Sequence, residues 1–299
     1  MITSPLPEHG TVVIESGDRP PLAPSDLSSR LFDDLNRFAV PRHAHWDPLG
    51  LMAVRRELQD ALSLHGDLEE QRFGAGGTAG VNFILKLAGR EPSLPPLLIG
   101  AHYDGPPQSI GADDNASGIV ALLELTRRWS SHPPRRSVWI VAFDQEECGL
   151  LGSTALARQL QRAQQPLHLM VSLEMLAYTS ATQAYPHPAM ARLYGDRGDF
   201  IALVGNLTAI FKLAPLAHAM ARVVNTKLLP VPCAGRSLPD VRRSDHSPFW
   251  DRGFDALMVT DTSFLRNPNY HTMQDTVSSL DLSFLASVTE ALFIGLNAL

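Results

Sequence analysis

Imidazoles and carboxylates stand at five points of this chain where they can do chemistry: His102, Asp113-Asp114, Glu146-Glu147, Glu174 and His271. A set of this kind suits a hard-to-borderline divalent metal such as zinc. Adjacent carboxylates repel each other unless a cation or a proton lies between them. Neighbouring side chains at a strand end also point differently. One acid of the pair 146–147 can therefore bind metal while the other faces a reacting water. Each residue alone has an ordinary explanation. Asp113 or Asp114 could cap the helix that follows, and Glu147 suits a helix N-terminus. The argument for a metal is that three successive apolar segments each end in such a residue.

Those segments are strands by their pattern. Residues 97–103 run LLIGAHY and end at His102, residues 137–143 contain VWIVAF and precede Glu146, and residues 168–173 read HLMVSL and precede Glu174. Helices are expected between them over 116–129 and 150–164. Strand, helix, strand, helix, strand is the order of a parallel, doubly wound sheet. Such sheets place their chemistry beyond the carboxyl ends of the strands. Upstream, helical spacing predicts helices over 27–38 and 48–64, with Asp26 and Asp47 as caps. Strands follow over 68–73 and 81–87, forming an antiparallel pair. Downstream come a strand over 200–204, a helix over 207–226 and a loop over 230–243. A short helix over 245–251, a strand over 256–260, a loop over 261–276 and a closing helix over 280–299 complete the chain. Residues 1–24, rich in proline, read as an extended arm. No repeat or linker divides the rest, so one domain over 1–299 is expected, α/β in class. It is a three-layer α/β/α sandwich on a mostly parallel sheet with antiparallel edge strands.

Composition narrows the function. The chain has 299 residues and a formal net charge of −6, which argues against a nucleic-acid partner. No apolar run has the roughly 18–20 residues that span a bilayer, so no membrane partner is expected. The first twenty residues lack a basic start with an apolar core, which leads to an expectation of a cytoplasmic protein. Cys148 and Cys233 form no C-x-x-C motif and read as two free thiols. The glycine-rich GAGGTAG at 74–80 is not followed by Lys-Ser/Thr, so it is not read as a phosphate loop.

The ordered motifs AHYDG, GADDNASG, DQEECGLLGS, LEMLAY, RSDHSPFWDRG and RNPNYHTMQDT resemble those of the co-catalytic di-zinc metallopeptidases. That family includes bacterial leucyl aminopeptidase, aminopeptidase S and glutamate carboxypeptidase, with the glutaminyl cyclases as relatives. The resemblance covers roughly residues 80–299. It implies the zinc-exopeptidase fold, two Zn2+ per chain, a peptide substrate and cleavage of the first peptide bond by an aminopeptidase. Carried over, it makes Asp113 the bridge between two zinc ions, with His102 and Glu174 on one and Glu147 and His271 on the other. Glu146 becomes the general base, and Asp104 orients the His102 imidazole. The resemblance also implies a cis peptide between Asp113 and Asp114. Glu174 stands where the best-known members have Asp, one methylene shorter. Tyr270 and Arg266 flank His271 and are expected to shape the pocket or hold the far end of the substrate. Asp245 and His246 are expected to support the site by hydrogen bonds. The rival readings are a cyclase-like aminoacyltransferase with one zinc and a non-catalytic family member.

Overall fold

The computed structural model describes residues 25–76 and 79–299. The expected arm over 1–24 and two residues of the glycine-rich turn lie outside them. Among the described residues the chain forms strands β1 (Leu68–Phe73), β2 (Gly80–Leu87), β3 (Leu97–His102), β4 (Val138–Phe143), β5 (Leu169–Glu174), β6 (Ile201–Asn206), β7 (Thr226–Val231) and β8 (Ala256–Thr260). They make one sheet in the order β1-β2-β4-β3-β5-β8-β6-β7. The central strands β4, β3, β5 and β8 are mutually parallel. On one side β2 and β1 join antiparallel. On the other, β6 runs antiparallel to β8 and β7 follows β6 in parallel.

The helices are α1 (Ser25–Phe38), α2 (Pro48–Ser63), α3 (Gly118–Ser131), α4 (Leu151–Arg162), α5 (Pro188–Tyr194), α6 (Ile210–Met220), α7 (Ser247–Trp250) and α8 (Leu282–Asn297). Side-chain alternation along the strands divides them into layers. In β3, Leu97, Ile99 and Ala101 join one core with α1, α2, α3, α6 and α8. Leu98 joins the opposite core, with Leu156 and Leu160 of α4 and Phe249 and Trp250 of α7. This is the three-layer α/β/α arrangement, with central strands buried on both faces as parallel sheets require. No helix among the described residues is long and apolar enough to cross a membrane.

Several local expectations are corrected. The helix over 207–226 is shorter: a 3-10 turn leads into α6, which stops at Met220, and Thr226 already begins β7. Pro230 lies within β7, where an edge strand tolerates its missing N–H. The segment expected to be a loop from 230 therefore starts as sheet. Helix α5 was not anticipated. It starts at Pro188 and is capped by His187 Nδ1, which accepts from the Ala189 N–H at 3.1 Å. Asp47 holds the N-cap position of α2, but its side chain makes no capping hydrogen bond. Asp26 lies inside the first turn of α1 rather than before it.

Candidate metal centre

The site is built where β3, β4 and β5 end. His102 is the last residue of β3, fully buried, and its Nδ1 lies 3.2 Å from the Asp104 carbonyl and 3.4 Å from Asp104 Oδ1. Acceptors on that side fix the proton on Nδ1 and leave Nε2 free to coordinate. Asp104 thus stands beside Nδ1, where an acceptor can orient the imidazole. Its carboxylate also accepts from the N–H groups of Glu146 at 3.0 Å and Glu147 at 3.1 Å, which pins the loop after β4 to the loop after β3.

The residue at the centre is Asp114, not Asp113. Asp114 Oδ1 is 3.3 Å from His102 Nε2, and its Oδ2 is 3.1 Å from His271 Nε2. Glu174 Oε1 completes the first group, 3.5 Å from His102 Nε2. Glu147 Oε1 completes the second, 3.3 Å from His271 Nε2. In each triad one ligand atom per residue lies within 4.8 Å of the other two. His102 Nε2, Asp114 Oδ1 and Glu147 Oε1 are buried with no hydrogen-bond partner among the described residues. Buried polar atoms left unpaired and converging on one point fit a cation between them. The donors, two imidazoles and three carboxylates, match the N/O set of zinc.

Asp113 turns away because its carboxylate is already engaged. Oδ1 accepts from the Ala177 N–H at 3.0 Å and Oδ2 from Asn267 Nδ2 at 2.7 Å. Burial, reinforced by the neighbouring Asp261 carboxyl, raises the Asp113 pKa well above the usual carboxylate range. Asp113 thus ties the loop after β3 to those after β5 and β8. The cis peptide joins Asp114 to Asn115, one residue later than the motif implied.

Three residues that hold this turn escaped the sequence reading. Asp275 accepts from the Asp113 and Asp114 N–H groups at 2.9 and 3.1 Å. Asn115 donates to the Leu173 carbonyl at 2.8 Å and accepts from the Met175 N–H at 3.1 Å. Arg42, from the segment preceding the motifs, is buried and donates to the carbonyls of Tyr103, Gly111 and Asp114. Gly111 has φ 55°, and a Cβ there would meet the Asp114 carbonyl oxygen at 2.1 Å. Asp275 lies in RNPNYHTMQDT and Asn115 in GADDNASG, so both carried a sequence signal. Arg42 carried no sequence signal.

The acids press on one another. Burial lifts Glu146 well above its usual range, with Glu174, Glu147 and Asp245 adding to the shift and His102 opposing it. Burial and Asp114 bring Glu147 up to about 7. The Glu146 side chain lines the cleft and makes no hydrogen bond to a described residue, so its carboxyl is left for a water or ligand in the cleft. Gln145, Met175 and His271 adopt left-handed φ of 57°, 51° and 55°. Non-glycine residues in that region cost of order 1–3 kcal/mol each, and such strain clusters at functional sites.

The outer expectations fare unevenly. Tyr270 stacks on His271, ring centres 3.8 Å apart, and lines the cleft. Arg266 does not reach the cleft. It is buried behind the wall, donating to Gln183 Oε1 and to the carbonyls of Phe200 and Tyr178. His246 turns away from the site, its Nε2 2.9 Å from the Val241 carbonyl and its ring edge-on to Trp250. Asp245 is fully buried, with His102 and the Ser153 hydroxyl near its carboxyl. Within that segment the hydrogen bond to the site comes from Ser244, whose hydroxyl donates to Glu174 Oε2 at 2.7 Å. The longer Glu174 side chain thus meets His102 with one oxygen and Ser244 with the other.

The cleft beside the triads is open to solvent and has a cavity volume of about 120 Å³. Its floor is the face of β8, β6 and β7 on the α4 side, and α5 contributes to its roof.

The chain is similar to known proteins in sequence and in fold. In sequence, the chain is 37% identical over 212 residues to the uncharacterized protein YfbL of Escherichia coli K12, covering 66% of this chain and 64% of YfbL. The chain therefore spans just under two thirds of that relative. In structure, it superposes on the LapA aminopeptidase of Legionella pneumophila with a TM-score of 0.71 at 17% identity, over 95% of this chain and 77% of LapA. It also matches a glutaminyl cyclase of Bacteroides thetaiotaomicron with a TM-score of 0.64 at 16% identity, over 92% of this chain and 98% of the cyclase. The sequence model of peptidase family M28 matches residues 82–294, and the chain belongs to that family.

Proposed function

We propose that the protein is a two-zinc aminopeptidase that hydrolyses the first bond of a peptide. The observation that carries this reading is the Asp114 carboxylate, with one oxygen toward each triad. His102, Asp114 and Glu174 would hold one zinc ion, and Asp114, Glu147 and His271 the other. Zinc bound there polarises a scissile carbonyl and lowers the pKa of a coordinated water. Glu146, unpaired in the cleft, would take a proton from the attacking water and return it to the leaving amine. Asp104 keeps His102 in the coordinating tautomer and aligns the backbones of both glutamates, which restricts the motion of base and ligand. The crowd of acids gives this end of the cleft a negative field suited to a substrate ammonium group.

Metal content and end-group dependence test this together. Elemental analysis of zinc-replete protein should find up to two zinc ions per chain, and a chelator should abolish peptide cleavage. N-acetylation of a good substrate should cut cleavage by roughly tenfold or more, the loss of one charge-assisted contact. A single tightly bound zinc with cyclisation of N-terminal glutamine would move the assignment to the acyltransferase reading. Unchanged cleavage of the acetylated peptide would reject the aminopeptidase.

A further inference from the structure

The floor of the cleft has an order that the metal centre does not use. Register pairs Glu174 with Thr260, Thr260 with Ala202, and Ala202 with Lys227. These four residues form one row across β5, β8, β6 and β7, and laterally paired residues face the same side of a sheet. All four line the cleft. The next row toward the sheet interior, Met258, Val204 and Leu229, is apolar and also lines it. Tyr185, Met190, Tyr194 and Phe264 line the cleft from outside the sheet. Three inter-strand spacings of about 4.8 Å separate Glu174 from Lys227 at their Cα atoms, roughly 14 Å in all.

The row therefore has a carboxylate at its inner end and an ammonium at its outer end, with an apolar floor between. Lys227 is half-buried, and its ammonium has no hydrogen bond or ion pair with a described residue. The other cation on the lining, Arg243, is 3.7 Å from Asp240 and lies over the Phe264 ring. Lys227 is thus the cleft-lining cation free to receive an anion. Side chains stand roughly perpendicular to a sheet, so the two charges lie about as far apart as the backbones, and a contact of about 3 Å at each end leaves roughly 8 Å for the ligand between them. An extended chain advances about 3.3–3.6 Å per residue. That length suits a chain of two or three residues.

Resting on the aminopeptidase reading, we infer that the cleft selects short apolar peptides by both ends. The ammonium sits at the acid cluster, the side chains lie over Ala202, Val204 and Met258, and the free carboxylate meets Lys227. A longer peptide or a C-terminal amide forfeits the Lys227 contact. The reaction remains hydrolysis of the first bond, and Lys227 acts in selection alone.

The test compares trileucine with trileucine amide on the zinc-loaded full chain. A parallel titration by calorimetry uses the non-hydrolysable reduced-bond analogue Leuψ[CH2NH]Leu-Leu as acid and as amide. The acid is expected to show five- to tenfold higher kcat/KM and five- to tenfold tighter binding, with the gap shrinking as salt rises. Lys227→Met should bring both ratios to about one, and Lys227→Arg should restore most of the gap. A wild-type ratio near one, or a gap that survives Lys227→Met, overturns the inference while cleavage of the amide upholds the peptidase. Loss of cleavage for every peptide, with the binding gap intact and dependent on Lys227, overturns the peptidase assignment and leaves the two-ended site standing.

Discussion

The two halves of the sheet differ in how they use their residues. In β4, β3 and β5 nearly every side chain is buried, because helices cover both faces. Their chemistry is confined to the strand ends, at His102, Glu146, Glu147 and Glu174. In β6 and β7 one face lies against α6 and the other lines the cleft. Val204, Ala202, Leu229 and Lys227 serve along the length of the strand rather than at its end. On the proposed reading, one half positions reacting atoms and the other measures what is brought to them. Damage to the first should therefore appear in metal content and turnover, and damage to the second in substrate preference.

The sharpest break of this division lies at the adjacent aspartates. Asp114→Asn removes a carboxylate shared by both triads. It should lower zinc content by at least one ion per chain and turnover by more than the roughly 10–100-fold typical of an outer partner. Asp113→Asn keeps the acceptor for Ala177 and should retain both ions with a loss inside that range. Equal zinc loss in the two variants would return the bridging role to Asp113.

Glu146→Gln comes next. It should keep two zinc ions while turnover falls by about 10², the low end for general acid–base catalysis. Glu147→Gln should instead weaken zinc at the His271 triad, since Glu147 Oε1 lies 3.3 Å from His271 Nε2. If Glu146→Gln loses metal and Glu147→Gln does not, the roles are exchanged.

A change on the measuring half should act more gently. Ala202→Phe places a ring in the middle of the floor between Thr260 and Lys227. Zinc content should hold, while kcat/KM for substrates beginning with Leu falls about tenfold relative to those beginning with Ala, within the range by which a pocket discriminates side chains. An unchanged ratio would mean that the first residue does not lie over β6.

The smallest effect concerns acid stability. Burial holds the His246 pKa down at about 3, with the Val241 carbonyl opposing. Its folded pKa is below its unfolded value of 6.5, so the contribution from keeping it neutral is present above pH 6.5. It is lost as pH falls toward 3, because the unfolded chain takes up the proton first. With chelator present, the Tm of the wild-type protein should fall faster between pH 7 and 4.5 than that of His246→Asn. Parallel curves would show that His246 titrates normally in the folded protein.

The parallel half was legible because uninterrupted apolar runs such as VWIVAF and LMVSL, ended by polar residues, identify buried strands and their site-bearing ends. The motifs also led to His102, Glu147, Glu174 and His271, which the structure brings together around one aspartate. Strand β7 was not legible. TKLLPV follows a helix without a turn signal, carries a lysine and a proline, and is half-exposed, so its period was lost and Lys227 went unnoticed. Which of two adjacent aspartates faces both triads could not be read locally either. That choice is made by Asp275 gripping both N–H groups from 161 residues and more away, by Asn267 and Ala177 engaging Asp113, and by Arg42 holding the carbonyls of the turn. By itself, the sequence determined the residue types and the strand ends that carry them, since both depend on short-range pattern. The tertiary structure decided the orientation of each carboxylate, because hydrogen bonds from distant segments leave Asp114 alone free to turn inward.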